Sequence, residues 1–508
     1  MATPSEKLAE SLDVLSTLQE QDIIAIRSSD LTRTHRERLK ANGFLQEVMK
    51  GWYIPARPDE TAGESTAWYA AFWRFMATYL ETRFDKNWCL SPELSLSLHS
   101  GDRTVPEQLL VRALRSRNRV TTLPFGTSVL DIRSALPEEK DVEEVEGLRV
   151  FSLTAALVAC SAQYYKQKPT DARAALSVIS DASEVLDHLL EGGHSTIAGR
   201  LAGAFRNIGQ NRIADDIIKT MRAAGYDVRE NDPFESQPTL TLSTRKRSPY
   251  VNRIRLMWQE MREPIIEIFP PAPGLTNNIN RYLKHIEDVY AIDAYHSLSI
   301  EGYRVSHELI ERVRSGNWNP DINANDRKDR NALAARGYWQ AYQAVRESVH
   351  RVLQNENPGT VADDDHANWY REMFTPGVAT GLLKPSDLAG YRNCPVYIRR
   401  SMHTPPNREA VRDAMPAFFD LLSEETDPTV RIVLGHFIFV YIHPYIDGNG
   451  RMGRFLMNLM LAASGHPWTV IPVEQRNTYM TALEEASVRQ NIVPFARFLA
   501  MLVNKVNS

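Results

Sequence analysis

Apolar residues recur at helical spacing from Glu6 to Glu20 (Leu8, Leu12, Leu15, Leu18), which predicts an amphipathic helix. Ser28, Ser29 and Asp30 supply capping side chains for a second helix over Leu31–Ala41, and Asn42-Gly43 ends it. Phe44–Val48 and Trp52–Ile54 then read as strands joined by a tight turn at Lys50-Gly51. Helix, helix and β-wing make residues 1–60 a winged-helix candidate. Residues 88–160 mix short apolar runs (Gln108–Val111, Gly147–Phe151) with turns, and 170–226 reads as three helices separated by Gly192-Gly193 and Gly209. The middle region, 61–231, is therefore expected to be α+β and then helical.

Between 232 and 249 the chain turns polar, with Arg245-Lys246-Arg247, and is expected to be an interdomain linker. Beyond Pro249 the period becomes helical, with candidates at 250–263, 276–297, 304–314, 329–353, 407–423, 428–442, 450–464 and 474–487. Residues 250–508 are thus expected to form a mainly α bundle. One interruption, 391–406, carries Val396-Tyr397-Ile398 and ends in Pro405-Pro406, a pattern for a short β-hairpin.

Length and composition narrow the class. A chain of 508 residues exceeds one ordinary core, and 43% hydrophobic with 24% charged residues and a net charge of -4 describes a globular protein. Any basic face must be local. Cys89, Cys160 and Cys394 lie too far apart for a zinc pair or a disulfide framework, so buried thiols in a reducing compartment are expected. No apolar stretch reaches the roughly 18 residues of a membrane span, and the start lacks a signal peptide's pattern. A cytoplasmic protein with no membrane partner is the expectation.

The helix over Leu31–Ala41 carries Arg33, His35, Arg36, Arg38 and Lys40, the side chains that meet phosphates and base edges when such a helix enters a major groove. Solvated charge on an exposed helix explains the same residues. Residues 20–60 resemble the winged helix that leads the abortive-infection type of antitoxin or regulator, whose last strand is like Gly51-Trp52-Tyr53-Ile54.

The densest chemistry lies at His443-Pro-Tyr-Ile-Asp447-Gly448-Asn449-Gly450-Arg451-Met-Gly453-Arg454. An apolar helix stops at Pro444, and Gly448 and Gly450 permit a tight turn before another helix begins. Such a turn is an anion site: first-turn amides point outward with the positive end of the helix dipole, and Arg451 and Arg454 fall on one helix face. His443 suits a base near neutral pH, and a carboxylate beside phosphates, Asp447, suits Mg²⁺.

This segment resembles the signature of Fic proteins, His-Pro-Phe-x-Asp-Gly-Asn-Gly-Arg-x-x-Arg, with Tyr445 in place of Phe. The resemblance extends over about 250–508. It implies a helical Fic-fold bundle with a β-hairpin flap, and a protein adenylyltransferase that moves AMP from ATP to a Ser, Thr or Tyr hydroxyl. By the resemblance His443 is the base, Asp447 holds Mg²⁺, Gly448, Asn449 and Gly450 bind the α-phosphate, and Arg451, Gly453 and Arg454 complete the nucleotide site. Gln475 and Tyr479 would lie near the adenine, where the family has Asn and a Tyr pair.

Upstream, Ser297-Leu-Ser-Ile-Glu301-Gly302 resembles the family's inhibitory motif, so the helix of about 276–302 would let Glu301 pair with Arg454 and block a productive ATP pose. A carboxylate there can also activate water, and some members of the family also remove AMP; the sequence leaves that second activity open. Val396, Tyr397 and Ile398 resemble the flap that aligns an extended target segment. Partners implied are a hydroxyl-bearing target protein, the chain itself included, DNA at the N-terminal domain and a second copy of the chain. The alternative readings are a DNA-binding regulator with an idle Fic domain, and a transferase of another nucleotide. His436 reads as a core histidine, and Asp363-Asp364-Asp365-His366 as a solvated loop without a role.

Overall fold

The computed structural model describes residues 3–58, 64–235, 248–317 and 329–507. Part of the expected linker, with Arg245–Arg247, lies outside the described residues. The chain separates into two compact units: 1–253 with 397–404, and 254–396 with 405–508.

The first unit opens with helix α1 (Pro4–Glu20), capped by the Thr3 hydroxyl and Glu6 in a reciprocal box, and helix α2 (Arg33–Ala41), capped by Thr32 rather than by the earlier serines. Asp30 instead accepts the Arg27 N–H. Strands β1 (Ile26–Arg27), β2 (Leu45–Met49) and β3 (Trp52–Pro55) form an antiparallel sheet in the order β1-β3-β2. Leu15, Ile26, Leu31, Leu39, Leu45 and Tyr53 close a small core beneath it. Helix α3 (Thr66–Phe84) then buries Trp68, Phe72, Phe75 and Leu80 against a second sheet. That sheet has the order β4-β5-β7-β6, from β4 (Trp88–Leu90), β5 (Gln108–Ala113), β6 (Arg119–Thr122) and β7 (Ser128–Arg133), with β5 and β7 parallel. A two-stranded ladder, Val142–Val145 with Leu148–Phe151, follows. The stretch beyond it holds helices 169–178, 183–191, 195–207 and 211–223, broken at Gly192-Gly193 and Gly209 as the sequence indicates and once more at 179–182.

The second unit is helical. Helices Pro428–Ile442 and Asn449–Ser464 bury almost every side chain, which is why neither shows a polar face in sequence. Around them stand Ile279–Ile300, Arg330–Leu353 and Arg408–Glu424. Two helices escape a reading by apolar period alone. Pro358–Ala379 contains the acidic run, so Asp363–His366 is a helical turn and not a loop: Asp365 accepts from Ser348 and Arg351, and His366 is buried against Tyr391. Val493–Asn507 closes the chain.

The segment 391–406 corrects the hairpin expectation. It contains no strand; Pro395, Pro405 and Pro406 remove ladder donors and Arg400 takes a left-handed φ of 61°. Its middle, 397–404, belongs to the first unit, where Arg399 pairs with Glu64 and the Met402 carbonyl accepts from Val105 N–H at 2.8 Å. Cys89 and Cys160 are buried, whereas Cys394 is exposed, contrary to the expectation for all three. Among the described residues no helix is long and apolar enough to cross a membrane.

Candidate active site

His443 ends the buried helix in a left-handed conformation, φ 54° and ψ 59°, which turns the chain into the 444–448 loop. A bulky non-glycine residue held there is costly and persists only where its surroundings enforce it. Two sets of bonds do so. Asn449 staples the loop from inside, its Oδ1 accepting from Tyr445 N–H at 2.9 Å and its Nδ2 donating to Tyr445 O at 2.8 Å. From outside, the buried Arg392 donates through Nε to the His443 carbonyl at 2.7 Å and through Nη1 to Cys394 O at 3.2 Å, and its own N–H donates to Pro444 O at 2.9 Å. Tyr445 is buried with its ring stacked on Tyr370, centroids 3.8 Å apart.

His443 Nδ1 lies 3.1 Å from the Val440 carbonyl, which can only accept, so that nitrogen carries the proton. Nε2 is left with the lone pair. Burial pushes the imidazole down to about 4, with the Arg392 charge acting the same way against the Val440 bond, Glu301 and Asp447. The ring is therefore neutral at physiological pH, with an acceptor always available.

Gly448, with φ 83°, starts the Asn449–Ser464 helix. The amides of its first turn have no partner within the helix. Asp447 is more than half exposed; its Oδ1 accepts from Gly448 N–H at 2.6 Å and its Oδ2 lies 3.4 Å from Arg451 Nη2. One accessible carboxylate next to a phosphate cradle suits Mg²⁺, which commonly takes one or two protein carboxylates and fills its shell with waters and phosphates. Among the described residues no cluster of three or more metal-ligating side chains occurs.

Arg451 and Arg454 are both buried. Arg451 lies between the rings of Tyr303 and Phe374, at 5.3 and 5.2 Å, with Nε lacking a hydrogen-bond partner. Arg454 donates Nε to Ser297 Oγ at 2.8 Å, and Nη2 to Ser297 O at 3.0 Å and to Glu301 Oε1 at 2.7 Å, while Nη1 has no partner. Two buried guanidiniums with unfilled donors form a site poised for anionic oxygens. Glu301 follows the last residue of the Ile279–Ile300 helix, and Gly302 turns the chain away with φ 88°. Burial pulls the Glu301 carboxyl upward, but Arg454, Arg451 and Arg476 outweigh it and hold it below its ordinary value. Glu301 Oε1 also occupies the space that a Cβ on Gly450 would need, so the carboxylate sits over the glycine turn itself.

Tyr479 is buried with its hydroxyl 2.7 Å from His436 Nε2; His436 is the core histidine expected, pushed by burial down to about 4. Gln475 sits half-buried at the end of a short turn. Gly453 faces the preceding helix, where a Cβ would strike Val440 and His436, so the close approach of the two helices needs a glycine there. Val396 belongs to the second unit and Tyr397 and Ile398 to the first. In the first unit Arg33 pairs with Glu37, Lys40 with Glu47, Arg36 donates to Ser28 O, and Arg38 to Lys7 O and Ser11 Oγ. Sequence reasoning missed Arg392, Tyr303, Phe374 and Arg476, which donates to Ile300 O at 2.7 Å. Arg392 and Arg476 lie in stretches already singled out, 391–406 and 474–487.

Residues 365–461 match the Fic/DOC family. The chain is 39% identical over 273 residues to a protein adenylyltransferase Fic of Nematostella vectensis, covering 53% of this chain and 58% of that one. It is 28% identical over 220 residues to protein adenylyltransferase fic-1 of Caenorhabditis elegans, covering 42% and 40%. It spans roughly half the length of the curated relatives it matches. Among solved structures, residues 134–508 of C. elegans Fic-1 align over 64% of this chain and 90% of that one at 22% identity, with a TM-score of 0.36. Apart from 397–404, the family match lies within the helical unit, and it spans the 443–454 turn.

Proposed function

We propose that this chain is a protein adenylyltransferase: the 443–454 turn binds ATP and transfers AMP to a Ser, Thr or Tyr hydroxyl of a protein. The observation that carries the reading is the His443 ring, fixed as the Nδ1–H tautomer by Val440 O with Nε2 free and neutral. The relatives named protein adenylyltransferase support the same reaction.

In that reaction Nε2 takes the hydroxyl proton as its oxygen attacks the α-phosphorus. The bond from that phosphorus to the oxygen bridging the α- and β-phosphates breaks, pyrophosphate leaves, and AMP stays on the protein. No covalent intermediate on this chain is needed. The first-turn amides and Asn449-stapled loop hold the α-phosphate, and Arg451 and Arg454 hold the outer phosphates, so catalysis rests on positioning and charge. Mg²⁺ held by Asp447 would offset the crowded phosphate charge.

The resting state is restrained. Glu301 ties up the arginine that the γ-phosphate requires, and its negative charge stands over the turn where phosphates would lie. The alternative, a DNA-binding regulator with an idle second unit, has thinner support, because all four α2 cations are engaged within their own unit. Labelled ATP incubated with wild type, Glu301→Gly and His443→Ala tests the proposal: label should enter protein most with Glu301→Gly and hardly at all with His443→Ala. Equal labelling with and without His443 would refute the mechanism.

A further inference from the structure

A cavity of about 450 Å³ opens on the first unit between the end of α3 and the strand β6. Arg83, Arg115, Arg117 and Arg119 line it, with Tyr79 and Thr121, and no acidic side chain does. Like charges gathered around a small space repel one another and call for an anionic occupant.

The arrangement is built rather than incidental. Arg83 is anchored by the fully buried Asp131 at 2.8 Å, with its guanidinium over the Phe84 and Tyr79 rings. The same carboxylate accepts from Ser116 Oγ at 2.7 Å and from Arg117 N–H at 3.4 Å. Asn118, with φ 52°, ties the loop's other side by accepting from Arg133 N–H at 2.6 Å. One buried acid thus fixes both the floor arginine and the loop that presents the other three. Arg115, Arg117 and Arg119 are exposed, and none of them forms an ion pair with a described residue. The α2 cations, by contrast, are all engaged.

We propose that this cavity binds a small ligand with adjacent phosphate groups, a polyphosphate or nucleoside polyphosphate, gripped by Arg115, Arg117 and Arg119 above Arg83. Guanidinium forks match phosphate oxygens two at a time. A concave space of this volume falls in the range of small-molecule sites, and its mainly charged lining gives the phosphates, not an apolar body, the leading part in affinity. That geometry favours a compact ligand over a nucleic-acid strand. The site stands independently of the reaction at His443.

Inorganic triphosphate titrated calorimetrically into the full chain tests this. Wild type should show a binding event, weakening as salt is added, that the Arg115→Ala/Arg117→Ala/Arg119→Ala variant lowers in affinity about a hundredfold. All three side chains are exposed, so the variant should keep the wild-type Tm, and Arg117→Gln alone should give a graded loss. Triphosphate binding identical in wild type and the triple variant overturns the proposal, since any such event lies elsewhere. So does a triple variant that loses duplex DNA binding and keeps triphosphate binding, which would assign the cavity to nucleic acid.

Discussion

Glu301 Oε1 accepts from Arg454 Nη2 at 2.7 Å while Ser297 takes the same guanidinium through both its hydroxyl and its carbonyl. The arginine thus has two kinds of partner, and only one carries charge. Glu301→Gly should release the charge-bearing contact and leave Arg454 oriented by Ser297. Labelling of protein from ATP should then rise by at least about tenfold, the factor that accompanies each 1.4 kcal/mol of restraint removed. Ser297→Ala, which loosens the arginine without freeing it from Glu301, should not activate. A Glu301→Gly protein that is folded and no more active than wild type would remove the restraint from the proposal.

Loss of His443 should cost the chemical step more than ATP binding. His443→Ala is expected to lower the transfer rate by roughly 10²–10⁴-fold, the usual worth of a general base, with ATP affinity nearly unchanged. The pH dependence has a definite sign. Because burial depresses the imidazole to about 4, the base form is present throughout the neutral range and is lost only as pH falls through about 4. Transfer by Glu301→Gly should therefore stay flat from pH 8 to about pH 5. A fall in rate centred near pH 6.5, the ordinary histidine value, would show that the ring is not held as described.

The same depression bears on stability. His436 and His443 both protonate at about 4 when folded and near 6.5 when unfolded, so between those values the unfolded chain binds more protons. Their neutral forms contribute stability that is fully present above about pH 6.5 and lost as pH falls toward 4. The urea midpoint of the second unit's unfolding should drop between pH 7 and pH 5. His436→Gln, which keeps a polar partner for Tyr479, should flatten part of that drop.

What the sequence made legible here was the local chemistry, not its supports. His443, Asp447, Asn449 and the arginine pair could be read because turn, helix start and charge lie within one short stretch. The Glu301 pairing was accessible only through a resemblance, because the partners stand 153 positions apart. Tyr479 shows the opposite limit: a tyrosine near a nucleotide site looks alike in sequence whether it faces ligand or core, and no pattern reports its hydroxyl's bond to His436. The helix Pro358–Ala379 hid behind its acidic run, although Asn357 as cap and Pro358 at the first turn were both readable starts. Arg392 gave no signal, since its work is done on backbone carbonyls that no side-chain pattern reports.

Arg392 is accordingly a positioning residue with a distinct signature. It touches the His443 carbonyl and not the ring, so it holds the left-handed turn rather than the proton. Arg392→Ala should reduce kcat by about a hundredfold through misplacement of the base while leaving KM for ATP nearly unchanged. Arg392→Lys, which can reach one carbonyl but not several, should recover part of the loss. A raised KM with unchanged kcat would instead place Arg392 in nucleotide binding.

Tyr445 stands where the signature has phenylalanine, and its ring lies stacked on Tyr370 with an interplanar angle of 7°. The stack fills the space under the loop that Asn449 staples through the Tyr445 backbone. If the ring matters by packing, then Tyr445→Phe should keep transfer activity and shift stability by less than about 1 kcal/mol. Tyr445→Ala should cost about 3–5 kcal/mol, as for other large aromatic truncations, and lower activity as the turn loosens. Thermal unfolding of the two variants separates these outcomes. A Tyr445→Phe protein that is stable yet inactive would mean that the hydroxyl takes part in the site, and the stacked ring would then be the lesser half of its role.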